Sequence, residues 1–316
     1  MIEKVYFVDS DNVNPYHNQA LLDYYFHNIP DDSMVFMLWQ NNNSVLVGND
    51  KSVYQQTVIS QLEIEHAYLC RRKTLGRTIY NDLGVLNYAF IMYLNNYDIK
   101  NQINVIYQAL RKLSIPVYLN NENEICLNNK LVTNNFYLTK NEQCLHTGSI
   151  YWDCDKIKRA KLLKEKISRN EIINITEENP LIYYSEVKKQ ILQSIADKYG
   201  KIFRIALEED LMEQVESFRS YQYIYQPEKP YTIIVKEDCD FSSVVIYCDM
   251  IKRQILHMDI YLEKENLAIK QLIWQVFEKM IIDDVIFKKR IKDVDSKYQS
   301  SLLKIYMAIK KESYRI

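Results

Sequence analysis

Apolar and polar positions alternate along the N-terminal part of the chain in two periods. Short apolar runs between polar turns predict strands, and apolar residues that recur about every 3.6 positions predict helices. The predicted strands are residues 4–8, 35–39, 44–47 and 85–93. The predicted helices follow Asn14-Pro15 and span 103–113, 155–167 and 185–199. Strands that alternate with helices without a strict βαβ order favour an α/β (α+β) fold, with a mixed β-sheet covered by helices.

Two local sequence signals predict a hairpin turn and the end of a helix. Asn128-Asn129 predicts the turn of a hairpin between the strands 125–127 and 131–132, because asparagine accepts positive φ. Gly200 predicts the C-cap that ends the helix 185–199.

The stretch 225–231 is the best candidate for a linker, because it carries Pro227 and Pro230. Beyond it, apolar runs predict a small sheet and two helices. The runs are 231–236, 244–247 and 255–260 for the sheet, and 267–280 and 297–311 for the helices. A chain of 316 residues has room for a large and a small domain, and the expected bounds are 1–226 and 231–316.

The composition excludes several classes of protein. The formal net charge of −1 argues against a protein that mainly holds nucleic acid. No apolar run reaches the roughly 20 residues that span a bilayer, and we expect no secretory signal in residues 1–11, which have no basic stretch followed by an apolar core. The six cysteines form no C-x-x-C pair, and Cys144 near His146 is a weak metal signal. We therefore expect a cytoplasmic protein with reduced thiols, no metal site, and no nucleic-acid or membrane partner.

Glycine is rare and unevenly placed. The chain has five glycines, whereas average usage of about 7% would give roughly twenty. Four of them are Gly48, Gly76, Gly84 and Gly148, in the segments 39–48, 71–87 and 144–150. Because glycine tolerates positive φ and lets a ligand approach the main chain closely, these three segments are predicted to form the walls of one binding site.

Four segments carry motifs. Residues 14–21 read NPYHNQAL, 38–48 read LWQNNNSVLVG, 71–84 read RRKTLGRTIYNDLG and 145–150 read LHTGSI. They resemble the opening helix, the W-x-N-x-x-S-V-x-x-G strands, the R-R-x-S-G-G-G-x-V-x-H-D-x-G loop and the L-H-H-G-T-L strand of one family. Weaker matches lie at 168–175 and 220–225. The chain thus resembles, nearly end to end, the lipoate–protein ligases of the long bacterial type with a C-terminal accessory domain.

This resemblance implies a biotin/lipoate-ligase-like fold, with a catalytic-type domain followed by an accessory domain. In the family, ATP and lipoate form lipoyl-AMP, and the lipoyl group passes to a lysine of a lipoyl domain. The implied cofactors are ATP and Mg, with lipoate or lipoyl-AMP as ligand. The implied partners are a lipoyl-domain acceptor or an H-protein-like carrier, and a second ligase is a further candidate. The residues implied for lipoate or adenylate binding are Trp39, Gly48, Arg72, Thr74, Gly76, Arg77, Asn81, Asp82, Gly84, Glu124, Gly148 and Ser149.

The glycine-rich loop departs from the family pattern. Leu75 and Arg77 replace the first and third of three glycines, and Asn81-Asp82 replaces a His-Asp pair. A non-glycine residue at positive φ costs roughly 1–2 kcal/mol, and leucine also fills space. We therefore expect Leu75 and Arg77 to narrow or cover the ligand cavity.

The family's activating lysine lies in a segment of the type N-D-x-x-x-D-G-K-K-x-S-G-N-A, which residues 123–136 resemble. One register places Leu131 at the lysine position and keeps the matches at Thr133 and Asn135. A shift by one residue recovers Lys130 as the catalytic lysine but loses those matches. The first register is favoured, so Leu131 is expected to face the cavity and Lys130 the solvent.

Leucine cannot supply the cation, so catalysis is expected to be impaired. Arg77, Lys73 and Lys51 are candidate substitutes, although arginine poorly replaces a compact ammonium. Three functions remain open. They are a working ligase with unusual chemistry, a non-catalytic homologue that binds lipoate, a lipoyl domain or a partner ligase, and a transferase of pre-activated lipoyl or octanoyl groups. A thiol nucleophile at Cys126 or Cys144 is disfavoured, because neither has a visible base.

Overall fold

The structure is a computed structural model that describes residues 2–164, 172–205, 210–225, 231–251 and 253–315. The end of the predicted helix 155–167, the motif residues 168–169, and Pro227 and Pro230 of the predicted linker lie outside the described residues. The chain divides into two compact units. The first comprises Met1–Lys51 and Ser60–Ile224, and the second comprises Ser52–Ile59 and Tyr225–Ile316.

The described elements fall into two sets. The strands are β1 (Lys4–Ser10), β2 (Ser33–Trp39), β3 (Ser44–Val47), β4 (Tyr68–Arg71), β5 (Ile79–Asn81), β6 (Val85–Tyr93), β7 (Tyr118–Leu119), β8 (Ile125–Leu127), β9 (Lys130–Leu131), β10 (Thr133–Lys140), β11 (Gln143–Tyr151), β12 (Ile202–Ile205), β13 (Tyr231–Asp238), β14 (Ser243–Ile251) and β15 (Gln254–Leu262). The helices are α1 (Pro15–His27), α2 (Val53–Gln56), α3 (Ile59–Ile64), α4 (Ile99–Lys112), α5 (Lys156–Leu162), α6 (Ile175–Glu178), α7 (Tyr184–Tyr199), α8 (Met212–Arg219), α9 (Tyr221–Tyr225), α10 (Leu267–Phe277), α11 (Asp284–Ile291) and α12 (Ser296–Arg315).

A six-stranded sheet forms the centre of the first unit, in the order β10-β11-β6-β2-β1-β12. Strand β1 runs parallel to β2 and β12, whereas β2, β6, β11 and β10 pair antiparallel with one another in turn. All seven residues of β2 are buried, which explains its continuous apolar sequence. Helices α4 and α7 pack against each other, and both contribute to the core beside this sheet. The predicted mixed sheet with helices is confirmed.

Local sequence signals explain where several elements begin and end. Helix α1 begins after Asn14, whose side chain accepts a hydrogen bond from the Tyr16 N–H. Helix α7 ends at Gly200, with φ of 87°. The β8–β9 turn has Asn128 and Asn129 at φ of 50° and 61°. These three predictions are confirmed.

Strands β2 and β3 lie in different sheets. The sequence predicts two strands joined by a polar turn, and both exist. Strand β3, however, pairs with β4 in parallel and with β5 in antiparallel orientation, so it forms a separate three-stranded sheet. A further small sheet is made by β7, β8 and β9.

The second unit contains an antiparallel sheet of β13, β14 and β15 and the helices α10, α11 and α12. Its core includes Ile246, Phe277 and Ile305, all fully buried. The predicted small sheet is confirmed. Helix α11 was not predicted, although Asp283 caps its first N–H groups at Val285 and Ile286. In the part of the chain that the structure describes, no helix combines the length and apolar character needed to traverse a bilayer.

Candidate ligand-binding site

A small cavity lies in the first unit, where residues from α1, β2, β3, β5, β6, β10, β11 and the loop after β4 meet. Its volume is about 20 Å³, which is enough for roughly one water molecule. All three glycine-bearing segments contribute to its wall. The predicted site residues that line it are Trp39, Arg72, Thr74, Gly148 and Ser149.

Several hydrogen-bonding groups on this wall have no partner in the part of the chain that the structure describes. They are Trp39 Nε1, Arg72 Nε and Nη1, Thr74 Oγ1 and Thr147 Oγ1. A buried polar group without a hydrogen bond costs about 1–3 kcal/mol. Such groups concentrated on one cavity indicate a place for a polar ligand that accepts hydrogen bonds.

Arg72 is the principal charged group of the cavity, and only 4% of it is exposed. Its Nη2 donates to the carbonyl oxygen of Arg77 at 2.7 Å. Burial lowers the pKa of Arg72 to about 9, because the cation is removed from water. The guanidinium carbon lies 3.4 Å from the centre of the Phe136 ring. An anion at the free Nε and Nη1 edge would compensate this buried charge.

Close backbone approaches and a positive φ explain why three positions near the cavity are glycine. A Cβ on Gly48 would overlap the carbonyl oxygen of Gly76, and a Cβ on Gly148 would overlap the Tyr88 ring. Gly76 has φ of 103°, and a Cβ there would lie 3.3 Å from Phe136 Cδ1. These glycines therefore allow the loop and the strands to close around the cavity.

Asp82 and Gly84 are not among the residues that line the cavity. The Asp82 carboxylate accepts hydrogen bonds from the N–H groups of Gly84, at 2.8 Å, and of Asp155, at 2.9 Å. A Cβ on Gly84 would overlap the carbonyl oxygen of Asp153. These residues hold the turn before β6 against the start of α5, so their contacts are structural and lie away from the cavity wall.

Asn81 belongs to a buried amide chain that motif matching alone did not show. Asn41 Nδ2 donates to Asn81 Oδ1 at 3.1 Å, and Asn18 Nδ2 donates to Asn41 Oδ1 at 2.9 Å. Ser10 Oγ donates to Asn18 Oδ1 at 2.7 Å. The chain of amides connects β1, α1, the turn after β2, and β5, and so fixes the strands that carry Trp39 and the loop.

The two loop substitutions do not fill the cavity, in contrast to the expectation. Leu75 is 52% exposed, and Arg77 forms an ion pair with Glu124. Gly76 is the loop position with positive φ, whereas Leu75 and Arg77 are absent from the positive-φ residues of the described chain, so neither is strained. Phe136, a residue that the sequence analysis did not single out, lines the cavity instead.

Lys130 and Leu131 form β9, and both side chains are half-buried. Leu131 pairs with Cys126 across the hairpin, and its carbonyl accepts a hydrogen bond from the Ile173 N–H at 3.0 Å. Lys130 has Glu177 in its electrostatic surroundings. Among the described residues that line the cavity, neither Lys130 nor Leu131 is present. The expectation that Leu131 faces the cavity while Lys130 faces the solvent is therefore not met.

The candidate substitute cations are all engaged in ion pairs. Lys73 pairs with Asp23, Arg77 with Glu124, and Lys51 with Asp50 at 2.8 Å. Of these three cations, Lys73 lines the cavity.

The shifted pKa values of Cys126, Cys144 and His146 disfavour the charged forms of these side chains. Burial raises the pKa of the Cys126 and Cys144 thiols, which disfavours the thiolate needed for covalent transfer. His146 is fully buried, its Nε2 lies 2.9 Å from Asn135 Oδ1, and burial lowers its pKa to about 3. The described residues contain no group of three or more His, Cys, Asp or Glu side chains placed to hold a metal ion.

Comparison with known proteins identifies relatives of the chain. Residues 14–196, more than half of the chain, match the family described as the lipoyl protein ligase A/B catalytic domain. Lipoate-protein ligase A of Bdellovibrio bacteriovorus is 23% identical over 239 residues, covering 68% of this chain and 70% of the relative. Lipoate-protein ligase A of Blochmanniella pennsylvanica is 24% identical over 271 residues, covering 78% of this chain and 80% of the relative.

Solved structures share the fold. P. falciparum LipL1, in complex with lipoate, matches 98% of this chain and 100% of its own, with 16% identity and a TM-score of 0.65. The bi-partite lipoate protein ligase of Thermoplasma acidophilum, which is described together with its E2 lipoyl domain, matches 71% of this chain and 92% of its own, with 17% identity and a TM-score of 0.58. A lipoate-protein ligase A bound with ATP matches 71% and 94%, with 16% identity and a TM-score of 0.58.

Proposed function

The chain belongs to the lipoyl protein ligase A/B family, and from this premise we propose that it acts in protein lipoylation as a lipoate–protein ligase-like protein with an altered activity. It retains a site for a lipoyl ligand at the Arg72 cavity, but its ATP-dependent activation of lipoate is impaired. The observation that carries the proposal is the set of unpaired donors around Arg72 on one buried cavity.

Retention of the ligand site follows from the chemistry of the wall. Arg72 presents two unpaired donors, and a guanidinium edge suits a carboxylate or a phosphate. Trp39 Nε1 and Thr74 Oγ1 are further unpaired groups beside it. The same cavity is lined by the apolar side chains of Leu22, Leu46, Ile79 and Leu145, and these would have to separate to admit an acyl chain, because the cavity measures about 20 Å³. Lipoate and lipoyl-AMP combine these two features, and the related LipL1 was solved with lipoate.

Impaired activation follows from the missing ammonium. The resemblance places Leu131 where the family has its lysine, and removing one such donor typically costs ~10²–10³ in rate. Lys51, Lys73 and Arg77 are already ion-paired with carboxylates. A related lipoate-protein ligase A was solved with bound ATP. In this chain, ATP would be required only for the activation of lipoate. Mg²⁺ would accompany the nucleotide phosphates, since magnesium sites of this kind use substrate oxygens.

The acceptor is proposed to be a lipoyl domain or an H-protein-like carrier, because the Thermoplasma relative is described together with its E2 lipoyl domain. The absence of lysine at position 131 also favours a second candidate function, the transfer of pre-activated lipoyl or octanoyl groups. Such transfer would proceed directly from the adenylate, since the raised thiol pKa values at Cys126 and Cys144 disfavour a covalent intermediate.

A calorimetric titration with a non-hydrolysable lipoyl-AMP analogue tests the ligand site. The variant Arg72→Met removes the unpaired donors, and Arg111→Met is the matched control on the exposed surface of α4. Hydrogen bonds to charged groups contribute about 1.5–3 kcal/mol, so Arg72→Met should weaken binding by roughly ten- to a hundredfold. Arg111→Met should bind like the unmodified protein. Absence of binding to the unmodified protein, or equal binding by Arg72→Met, would contradict the proposal.

A further inference from the structure

We propose that Arg77 is a positioning residue of the Arg72 cavity and that, through its ion pair with Glu124, it fixes the direction in which Arg72 presents its unpaired donors. Arg77 acts through its backbone carbonyl and does not itself contact the ligand. This inference rests on the proposed function, because it takes the Arg72 cavity as the ligand site.

Two contacts fix the guanidinium group of Arg72. The ring of Phe136 lies against its face, with the guanidinium carbon 3.4 Å from the ring centre, so the ring sets the plane of the group. Within that plane, Nη2 donates to the carbonyl oxygen of Arg77 at 2.7 Å. Because a guanidinium is planar and rigid, the two contacts also set the direction of Nε and Nη1, the donors without a partner among the described residues. The carbonyl of Arg77 therefore determines where the ligand-binding edge points.

The side chain of Arg77 ties this carbonyl to a point outside the glycine-rich loop. Its guanidinium forms an ion pair with Glu124, the residue before β8. Asn120 holds Glu124 in turn. Its Oδ1 accepts a hydrogen bond from the Glu124 N–H at 2.8 Å, and its Nδ2 donates to Glu124 Oε2 at 3.4 Å. The ion pair thus joins the loop to the β7–β8 turn beside the carbonyl that Arg72 uses.

Gly76 makes this tie necessary. It has φ of 103°, and glycine permits a wider range of backbone angles than any other residue. On one side of this flexible position, the Gly76 N–H donates to Asp50 Oδ1 at 2.8 Å. On the other side, Glu124 holds the side chain of Arg77. Loss of the second contact would let the carbonyl of Arg77 rotate away from Arg72.

The charges are consistent with this role. Arg77 and Arg72 repel each other, and Glu124 balances the charge of Arg77. The side chains of Arg77 and Glu124 are 35% and 17% exposed, whereas Arg72 is 4% exposed. An anion in the cavity would therefore meet the buried Arg72, while Arg77 is already engaged.

The sequence shows that the tie belongs to this chain and not to the motif. Arg77 stands at the third glycine of R-R-x-S-G-G-G, and Glu124 stands at the first aspartate of N-D-x-x-x-D-G. A glycine at position 77 has no side chain to pair with a carboxylate. The substitution therefore adds a contact that the motif lacks.

Calorimetry with the non-hydrolysable lipoyl-AMP analogue tests this role in a double-mutant cycle. Arg77→Met and Glu124→Gln should each weaken binding about tenfold, within the coupling measured between residues of one hydrogen-bond network. Arg77→Lys keeps a cation for Glu124 and should restore most of the affinity. In an Arg72→Met background, Arg77→Met should cause no further loss, because the donors that it positions are gone. Arg219→Met, the matched control, removes an exposed ion pair with Glu216 and should bind like the unmodified protein.

Glu124→Gln keeps the size of the side chain and so guards against a folding defect, which circular dichroism checks in every variant. Equal losses from Arg77→Met with and without Arg72 would overturn this inference, because Arg77 would then act independently of Arg72. Unchanged affinity in both single variants would also overturn it. Either result would leave the proposed function intact, whereas absence of binding to the unmodified protein would overturn the two together.

Discussion

Arg72 and Phe136 form a stacked pair at the wall of the ligand cavity, with the guanidinium carbon 3.4 Å from the centre of the ring. A desolvated cation–π contact contributes up to about 2 kcal/mol, which partly offsets the burial of the charge. Because stacking uses the face of the guanidinium, the Nε and Nη1 edge keeps its donors for an anion. The stacking therefore leaves that edge of the guanidinium available to the ligand of the proposed site.

Arg71 and Arg72 are adjacent but should differ in their contribution to stability. Arg71 donates to the carbonyl oxygens of Gly48 and Lys51 at 2.8 Å and of Ile224 at 2.6 Å. Arg71→Met leaves these buried acceptors unpaired and should lower the free energy of unfolding by about 3–5 kcal/mol. Arg72→Met removes a buried charge that forms no ion pair within the described residues, although Asp50 attracts it at longer range, and the change should be neutral or stabilising in the ligand-free protein. Urea denaturation of the two variants measures the difference, and equal losses would contradict this assignment.

His146 should make stability depend on pH. Burial lowers its folded-state pKa to about 3, below the unfolded value near 6.5, so the unfolded state binds more protons between these values. The contribution of neutral His146 to the free energy of unfolding is therefore fully present above about pH 6.5. This free energy falls as the pH drops toward 3, by up to about 1.4 kcal/mol per pH unit. Urea denaturation at pH 7.5 and 5 should show a smaller loss for His146→Gln than for the unmodified protein. An identical loss in both would show that His146 is not the titrating group.

Gly48 and Gly200 should respond differently to alanine. A Cβ on Gly48 meets the carbonyl of Gly76 beside the cavity, whereas a Cβ on Gly200 meets nothing within 4 Å but stands at φ of 87°. Both substitutions should reduce stability by roughly 1–3 kcal/mol. Only Gly48→Ala should also change the affinity for the lipoyl-AMP analogue, because it displaces the loop that carries Arg72. Calorimetry and thermal melting of both variants separate the two effects.

Leu131→Lys should not restore full activation of lipoate. The favoured register places Leu131 at the lysine position, but its side chain lies on β9, outside the wall of the cavity. The altered loop and Asn81 would also remain. Single-turnover formation of lipoyl-AMP by this variant should stay well below that of an active family member, and recovery to that level would contradict the account.

Much of the fold can be predicted from the sequence where a signal is local. Strand β6 occupies the predicted residues 85–93, because a long apolar run with polar ends has few other structures available. The turn at Asn128 and Asn129 is equally local, since it depends on their own φ angles. The separation of β2 and β3 into two sheets depends instead on pairing with β4, β5 and β6, which no short segment encodes.

The same distinction applies to the site. Scarce glycines identified the three segments that line the cavity, because close backbone approach excludes other residues. The roles of Leu75 and Phe136 could not be read from spacing, because the exposure of a loop side chain and the direction of a ring depend on distant strands. The alanine position in the resembling segment was the one available signal for Phe136.

In the proposed function, the site keeps an arginine that binds the ligand and lacks the lysine that activates it. Lipoate-dependent ATP–pyrophosphate exchange measures activation most directly. The predicted result is exchange near background in the unmodified protein and in Lys130→Ala alike. Robust exchange in the unmodified protein that Lys130→Ala abolishes would contradict the account, because it would place Lys130 at the adenylation centre and make the chain an active ligase.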